Sequence, residues 1–213
     1  MLQKIKAVIF DLDGVLIDAK DWHFEALNRA LLLFGTQISR YDHLITYDGL
    51  PTRRKLEMLS IESGFPTGLH EFINELKQHY TMEMIYSKCH PRFNHKYALS
   101  RLKTNCIKLA VCSNAVKDTV EMMLKKSGLI QYVDFYLSNE DVKFAKPDPE
   151  IYNCAIKKLG IKPEECLILE DNRNGIMAAK HAGAHVMQIS TVDDVNFENI
   201  YEQINIINKG ISL

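Results

Sequence analysis

The stretch Ile9-Phe10-Asp11-Leu12-Asp13-Gly14-Val15-Leu16 runs from an apolar, strand-forming segment into two aspartates one residue apart and then a glycine. Side chains alternate along a strand, so Asp11 and Asp13 leave the end of a buried strand on the same side. Gly14 lets the backbone turn there and come close to a ligand. Two carboxylates held that near raise each other's pKa unless a cation or a shared proton relieves them. One can then serve as nucleophile or metal ligand while the other, kept partly protonated, serves as general acid. A plain strand-end turn, where Asp and Gly are common anyway, is the alternative reading of the same residues.

Working outward, short apolar runs recur with helical stretches between them, the pattern of a parallel sheet covered by helices. Five strands are expected, over 5–10, 107–112, 133–137, 166–169 and 185–189. Val116, Val120, Met123 and Leu124 share a helical face that stops at Ser127-Gly128. The best-marked helix has Asp148 as N-cap, Pro149 as its first residue and Gly160 as terminator, with Ile151, Tyr152, Ala155, Ile156 and Leu159 as its buried stripe. Another helix is expected from 173 to 182, stopping at Gly183.

Nearly a hundred residues separate the first two strands, far more than one crossover helix requires, and that stretch reads as helical. Phe24, Leu27, Leu31 and Phe34 form a stripe ending at Gly35, a second helix runs from Pro51 to just before Gly64, and a third carries Phe72, Leu76, Tyr80 and Met84. Residues 16–85 are therefore expected to form a small helical cap domain, with 1–15 and 86–213 as the catalytic core. Ligands of open parallel sheets bind beyond the carboxyl ends of the strands, so an insertion after the first strand is placed to act as a lid. Helices that merely extend a single core are the other possibility.

The bulk numbers narrow the partner rather than name it. Twenty-six Lys and Arg against 27 Asp and Glu give a formal net charge of −1, which offers no electrostatic case for nucleic acid or an anionic membrane. The N-terminus lacks signal-peptide order and no apolar run approaches a membrane span, so a cytoplasmic location is expected. Five cysteines, widely spaced and without a Cys-x-x-Cys pair, argue against a disulfide framework or a zinc site, Cys89-His90 included.

Three later strand ends also carry polar residues. Ser113-Asn114 follows the second strand, where a hydroxyl and the amides opening the next helix suit a phosphate oxygen, although Ser-Asn is also a good helix cap. Lys146 stands in Phe144-Ala145-Lys146-Pro147-Asp148-Pro149, in a proline-framed turn where an ammonium can neutralise transferring phosphoryl charge or simply be solvated. Glu170-Asp171 follows the fourth strand; the pair can cap the next helix or, with Asp11 and Asp13, form an oxygen cage for a hard ion, magnesium above all.

These four pieces, in this order at these strand ends, resemble the haloacid dehalogenase superfamily of phosphoryl-transfer enzymes. The helical insertion, Lys146-Pro147-Asp148-Pro149-Glu150 and Glu170-Asp171 before Gly175-Ile176 are closest to its β-phosphoglucomutase-like branch, which includes small phosphosugar phosphatases. The resemblance implies a Rossmann-like core with a helical cap. It makes Asp11 the nucleophile that forms an aspartyl phosphate and Asp13 the general acid and base, with Ser113 and Lys146 gripping the phosphate. It gives Mg2+ the carboxylates of Asp11 and Asp171 and the backbone carbonyl of Asp13, with Glu170 binding directly or through water. Dehalogenating members lack an aspartate at the position of Asp13, so that residue implies phosphoryl transfer.

Toward the substrate the resemblance points to Asn114, His23, Thr52 and Arg53. His23 matches a histidine near the hinge into the cap, where it either touches the acid or packs. Arg53 follows the cap loop Gly49-Leu50-Pro51 and can bind a hydroxyl or a second anionic group bidentately. Thr52 stands where the mutase has its arginine and Leu76 where it has a lysine, while Asn114 and Asn172 replace small residues. These departures favour a phosphatase acting on a small phosphorylated sugar or polyol over a mutase. A non-catalytic phosphate-binding protein is the third reading, which the paired nucleophile and acid disfavour. Oligomeric state is left open.

Overall fold

The computed structural model describes residues 5–210; residues 1–4 and 211–213, assigned by sequence to the core, lie outside the described residues. Strands β1 (Ala7–Phe10), β2 (Lys108–Cys112), β3 (Phe135–Leu137), β4 (Cys166–Glu170) and β5 (His185–Gln188) form one sheet in the order β3-β2-β1-β4-β5. Every neighbouring pair is parallel. β1 and β4 are buried along their whole length, which is why they read as continuous apolar runs and not as alternating ones. β1 lies between β2 and β4, with Phe10 opposite Val111 on one side and Leu169 on the other. The next positions, Asp11 just past β1, Cys112 ending β2 and Glu170 ending β4, therefore lie side by side.

The chain divides into two compact units, Ala19–Cys89 and the chain on either side of it. The first contains α1 (Lys20–Leu32), α2 (Arg40–Asp42) running into a π-helical turn over His43–Tyr47, α3 (Thr52–Ser63) and α4 (His70–Lys88). Gly64 ends α3 in the left-handed region at φ 70°, a conformation with little steric cost only for glycine. The expected stripes here are rotated. Ala26, Leu27, Ala30 and Leu31 are the buried face of α1, and Ile73, Thr81, Met84 and Ile85 that of α4. Phe34 and Phe72 are exposed and meet edge to face at 6.1 Å between ring centres. α1 packs against α4, and Ala30 belongs to the core that the two share with Ile73. Leu27, Ile38, Tyr47, Leu56, Phe65 and Ile73 share one core within this unit.

In the sheet unit, α5 (Phe93–Thr104) packs on β2 and on α9 (Phe197–Asn208). α6 (Lys117–Lys126) buries Val120, Met123 and Leu124 as its pattern requires. α7 (Glu150–Leu159) and α8 (Arg173–His181) cover the sheet face formed by Ala7, Ile9, Ala110, Cys112, Cys166 and Ile168. The α7 stripe is the expected one in every member. Asp148 Oδ1 accepts from Glu150 N–H at 2.9 Å and Pro149 occupies the cap position, so the helix begins one residue later than expected. All five cysteines are free, and no helix among the described residues is long and apolar enough to cross a membrane.

Candidate active site

Asp11 is the first residue beyond β1, and its backbone N–H donates to the carbonyl of Leu169 at 3.0 Å, extending the ladder by one step. The chain then turns through Gly14 at φ 86°, with Leu16 and Ile17 N–H groups both returning to the Leu12 carbonyl at 2.9 Å. The turn thus depends on the residue that a strand-end glycine supplies. Asp13 is half-buried while Asp11 is buried, so the two aspartates have different surroundings.

Lys146 is the centre of the constellation. Its Nζ donates to Asp11 Oδ1 at 2.5 Å, to Glu170 Oε1 at 2.7 Å and to the carbonyl of Cys112 at 2.9 Å. An ammonium has three hydrogens, and these acceptors, from the ends of β1, β4 and β2, account for all of them. The residue is 4% exposed, which removes the solvated reading of this lysine. Its backbone is fixed as firmly. Asn114 accepts from Lys146 N–H at 3.0 Å through Oδ1 and donates to the Lys146 carbonyl at 3.2 Å through Nδ2. Asn114, expected at the substrate, thus spends its side-chain amide on the peptide of Lys146.

Charge sets the site's electrostatics. Burial first, and then the Glu170 carboxylate, push the Asp11 carboxyl well above the ordinary aspartate range, with Lys146 pulling the other way and Asp171 and Asp13 adding to the rise. Burial would lower the Lys146 ammonium, but Asp11 and Glu170 hold it above the ordinary lysine value. One ammonium bonds two carboxylates, and two more act on Asp11. Among the described residues, Asp11, Glu170 and Asp171 each offer an oxygen within 4.8 Å of the others. The donors are all carboxylate oxygens, a set suited to a hard divalent ion such as magnesium and poorly suited to thiolate- or imidazole-seeking metals. The carboxylate of Asp13 is not in that group.

Ser113 is buried, and its Oγ accepts from the N–H of Ala115 at 3.0 Å. Its hydroxyl hydrogen is then directed by a fixed oxygen at the end of β2. The residues expected toward the substrate from the helical unit are placed within that unit. Thr52 opens α3, Arg53 is 88% exposed with its Nε 3.6 Å from Glu57, and His23 Nδ1 lies 3.2 Å from Lys77 Nζ. Tyr152 is a site residue that sequence reasoning misses. It reads as one member of the apolar stripe of α7, yet its hydroxyl donates to Glu170 Oε1, and nothing local in the sequence marks that contact. Gly175 reads only as part of a motif; a Cβ there would overlap the Glu170 carboxylate.

A parallel sheet with acidic strand ends around a buried lysine has a Rossmann-like architecture with a carboxylate-rich site at the strand ends. Residues 8–189 match the model of the haloacid dehalogenase-like hydrolases, and the chain belongs to that family; it is a phosphatase. It is 31% identical over 212 residues to a phosphorylated carbohydrates phosphatase of Thermotoga maritima, covering 98% of this chain and 90% of the relative. It is 30% identical to the pyrophosphatase PpaX of Bacillus velezensis over 94% of this chain and 90% of that one. Among solved structures, the β-phosphoglucomutase of Clostridium difficile superposes with a TM-score of 0.81 at 25% identity, covering 94% of this chain and 97% of the other.

Proposed function

We propose that the chain is a magnesium-dependent phosphatase of a small phosphorylated sugar or polyol, working through an aspartyl phosphate on Asp11. The observation that carries this reading is the convergence of Asp11, Lys146 and Glu170, with Asp171 beside them, at the carboxyl ends of adjacent strands. The substrate class is supported by the relative named as a phosphorylated carbohydrates phosphatase.

In this mechanism Lys146, three-way bonded, fixes Asp11 and favours its charged form against the burial and the Glu170 carboxylate that push it the other way. An Asp11 carboxylate oxygen attacks phosphorus, and the bond from phosphorus to the substrate's ester oxygen breaks. Asp13 gives its proton to that leaving oxygen. Asp13, now a carboxylate, takes a proton from water as the water oxygen attacks the acyl phosphate, releasing phosphate and the Asp11 carboxylate. The Ser113 hydroxyl, which accepts from Ala115, has its hydrogen to offer a phosphate oxygen. Asp11, Glu170 and Asp171, with the Asp13 carbonyl, would hold Mg2+, which supplies the positive charge that an anionic nucleophile needs to approach an anionic phosphate. The helical unit Ala19–Cys89 serves as the cap, with His23, Thr52 and Arg53 as its substrate-selecting residues. The exposure of Arg53 supports that use.

The test is phosphate release by purified protein with Mg2+ against a panel of phosphosugars, polyol phosphates and pyrophosphate. Turnover is expected on at least one sugar or polyol phosphate, and Asp11→Asn abolishes it. No release from any sugar or polyol phosphate, or unchanged turnover in Asp11→Asn, would refute the reading. The likeness to β-phosphoglucomutase favours a second reading, phosphosugar mutase. With β-glucose 1-phosphate as substrate, glucose 6-phosphate in place of free phosphate would establish it.

A further inference from the structure

Tyr152 is fully buried in the middle of the apolar stripe of α7, a position where a phenylalanine would satisfy every packing requirement. Its hydroxyl nevertheless reaches Glu170 Oε1. Lys146 Nζ donates to the same oxygen at 2.7 Å and lies 4.8 Å above the Tyr152 ring. Both donors therefore converge on Oε1. The space beside the carboxylate is closed by the backbone of Gly175, since a Cβ there would overlap both Glu170 oxygens. Glu170 itself is 1% exposed, so water contributes little to its orientation.

A glutamate has three side-chain torsions, and ordering them at the moment of ion binding costs affinity. A carboxylate already pinned through one oxygen presents the other in a fixed direction. We propose that Tyr152 is a positioning residue for the cation site: its hydroxyl, together with Lys146, anchors Glu170 Oε1 and thereby sets Oε2 toward the divalent ion. This rests on the reading of Asp11, Glu170 and Asp171 as that ion's ligands. Partners of metal-ligating carboxylates typically contribute 10–100-fold to metal affinity, and the effect expected here is at least about tenfold by the same reasoning.

The experiment is calorimetric titration of the full chain with Mg2+ alone, for the wild type, Tyr152→Phe, Glu170→Gln and the double variant, with melting curves in EDTA. The expected result is a dissociation constant at least about tenfold weaker in Tyr152→Phe, at a melting temperature matching the wild type. That loss should vanish when Tyr152→Phe is made in the Glu170→Gln background, because the hydroxyl acts through Glu170. Mg2+ binding by Tyr152→Phe equal to the wild type overturns the proposal and leaves the cation site standing. A wild type that takes up no Mg2+ removes the cation site and the proposal together. An equal loss in both backgrounds, or a Tyr152→Phe protein that does not fold, makes the hydroxyl a packing group and overturns the positioning role.

Discussion

Lys146 is a buried charge whose placement is decided by three acceptors on three strands, and its removal is the clearest single-residue experiment. Burying an ion triad gains little by itself, because desolvation offsets most of the attraction. Deleting one member is different, since it strands the others. Lys146→Met would leave Asp11 and Glu170 buried without their ammonium, at a cost of about 3–5 kcal/mol. Urea unfolding in EDTA at neutral pH measures it. The deficit should narrow toward acid pH, because the Asp11 carboxyl, already held above its ordinary range, takes up a proton and relieves the repulsion. A variant as stable as the wild type would show that the triad is not formed. The same residue marks what a linear reading can see. Lys146 in its proline-framed turn is legible as a fixed lysine, and Asp11 and Glu170-Asp171 as acidic strand ends. That Asn114 clamps the Lys146 peptide, and that Tyr152 joins the triad, depends on pairs 32 and 18 residues apart that no local pattern announces.

At the scale of elements, legibility follows burial. Strands buried on both faces and the α7 stripe are long enough in apolar signal to be read directly, and the structure places all five strands within two residues of the expected bounds at either end. The edge of the pattern is harder. α9 buries only Ile200 and Ile204, too few for a periodic stripe, and α1 and α4 use alanines and a threonine where larger neighbours suggest another face. The π-helical turn over His43–Tyr47 has no signature in the apolar pattern, and it carries a titratable group whose effect can be measured. His43 is 2% exposed, with neither ring nitrogen hydrogen-bonded, its ring 4.8 Å from Phe24 and its Nε2 4.0 Å from Asp48. Burial, and then the nearby Lys55 ammonium, lower it from 6.5 to about 4. A histidine lowered on folding contributes no penalty above about pH 6.5, and destabilises progressively as pH falls from there through about 4. Between pH 7.5 and 4.5 the loss is on the order of 2–3 kcal/mol. His43→Leu gives up no hydrogen bond, so its urea midpoint should fall less across that interval. Parallel pH profiles for the two proteins would exclude the effect.

At the scale of the whole molecule, the sheet's strand ends bring scattered acidic residues together, and the proposed function makes them a cation site that only the folded chain can form. Asp11 and Asp171 are separated by most of the sequence, so the unfolded chain offers no comparable site and binding must stabilise the native state by mass action. At a Mg2+ concentration about 100 times the dissociation constant, the gain is about 2.7 kcal/mol. For a chain of this size each kcal/mol moves the melting temperature by about 2–4 °C, so Mg2+ should raise it by roughly 5–10 °C over EDTA. The probe matters. The only tryptophan, Trp22, lies in α1 of the helical unit, whereas Asp11, Glu170 and Asp171 belong to the sheet unit. Far-UV circular dichroism, which includes the sheet and its helices, is therefore the measurement to follow. Asp171→Asn removes one of these carboxylates, and with it part of the repulsion on Asp11, and should abolish most of the shift between EDTA and Mg2+. A wild type indifferent to Mg2+, or an Asp171→Asn protein that responds as fully, would mean that these carboxylates do not gather a cation.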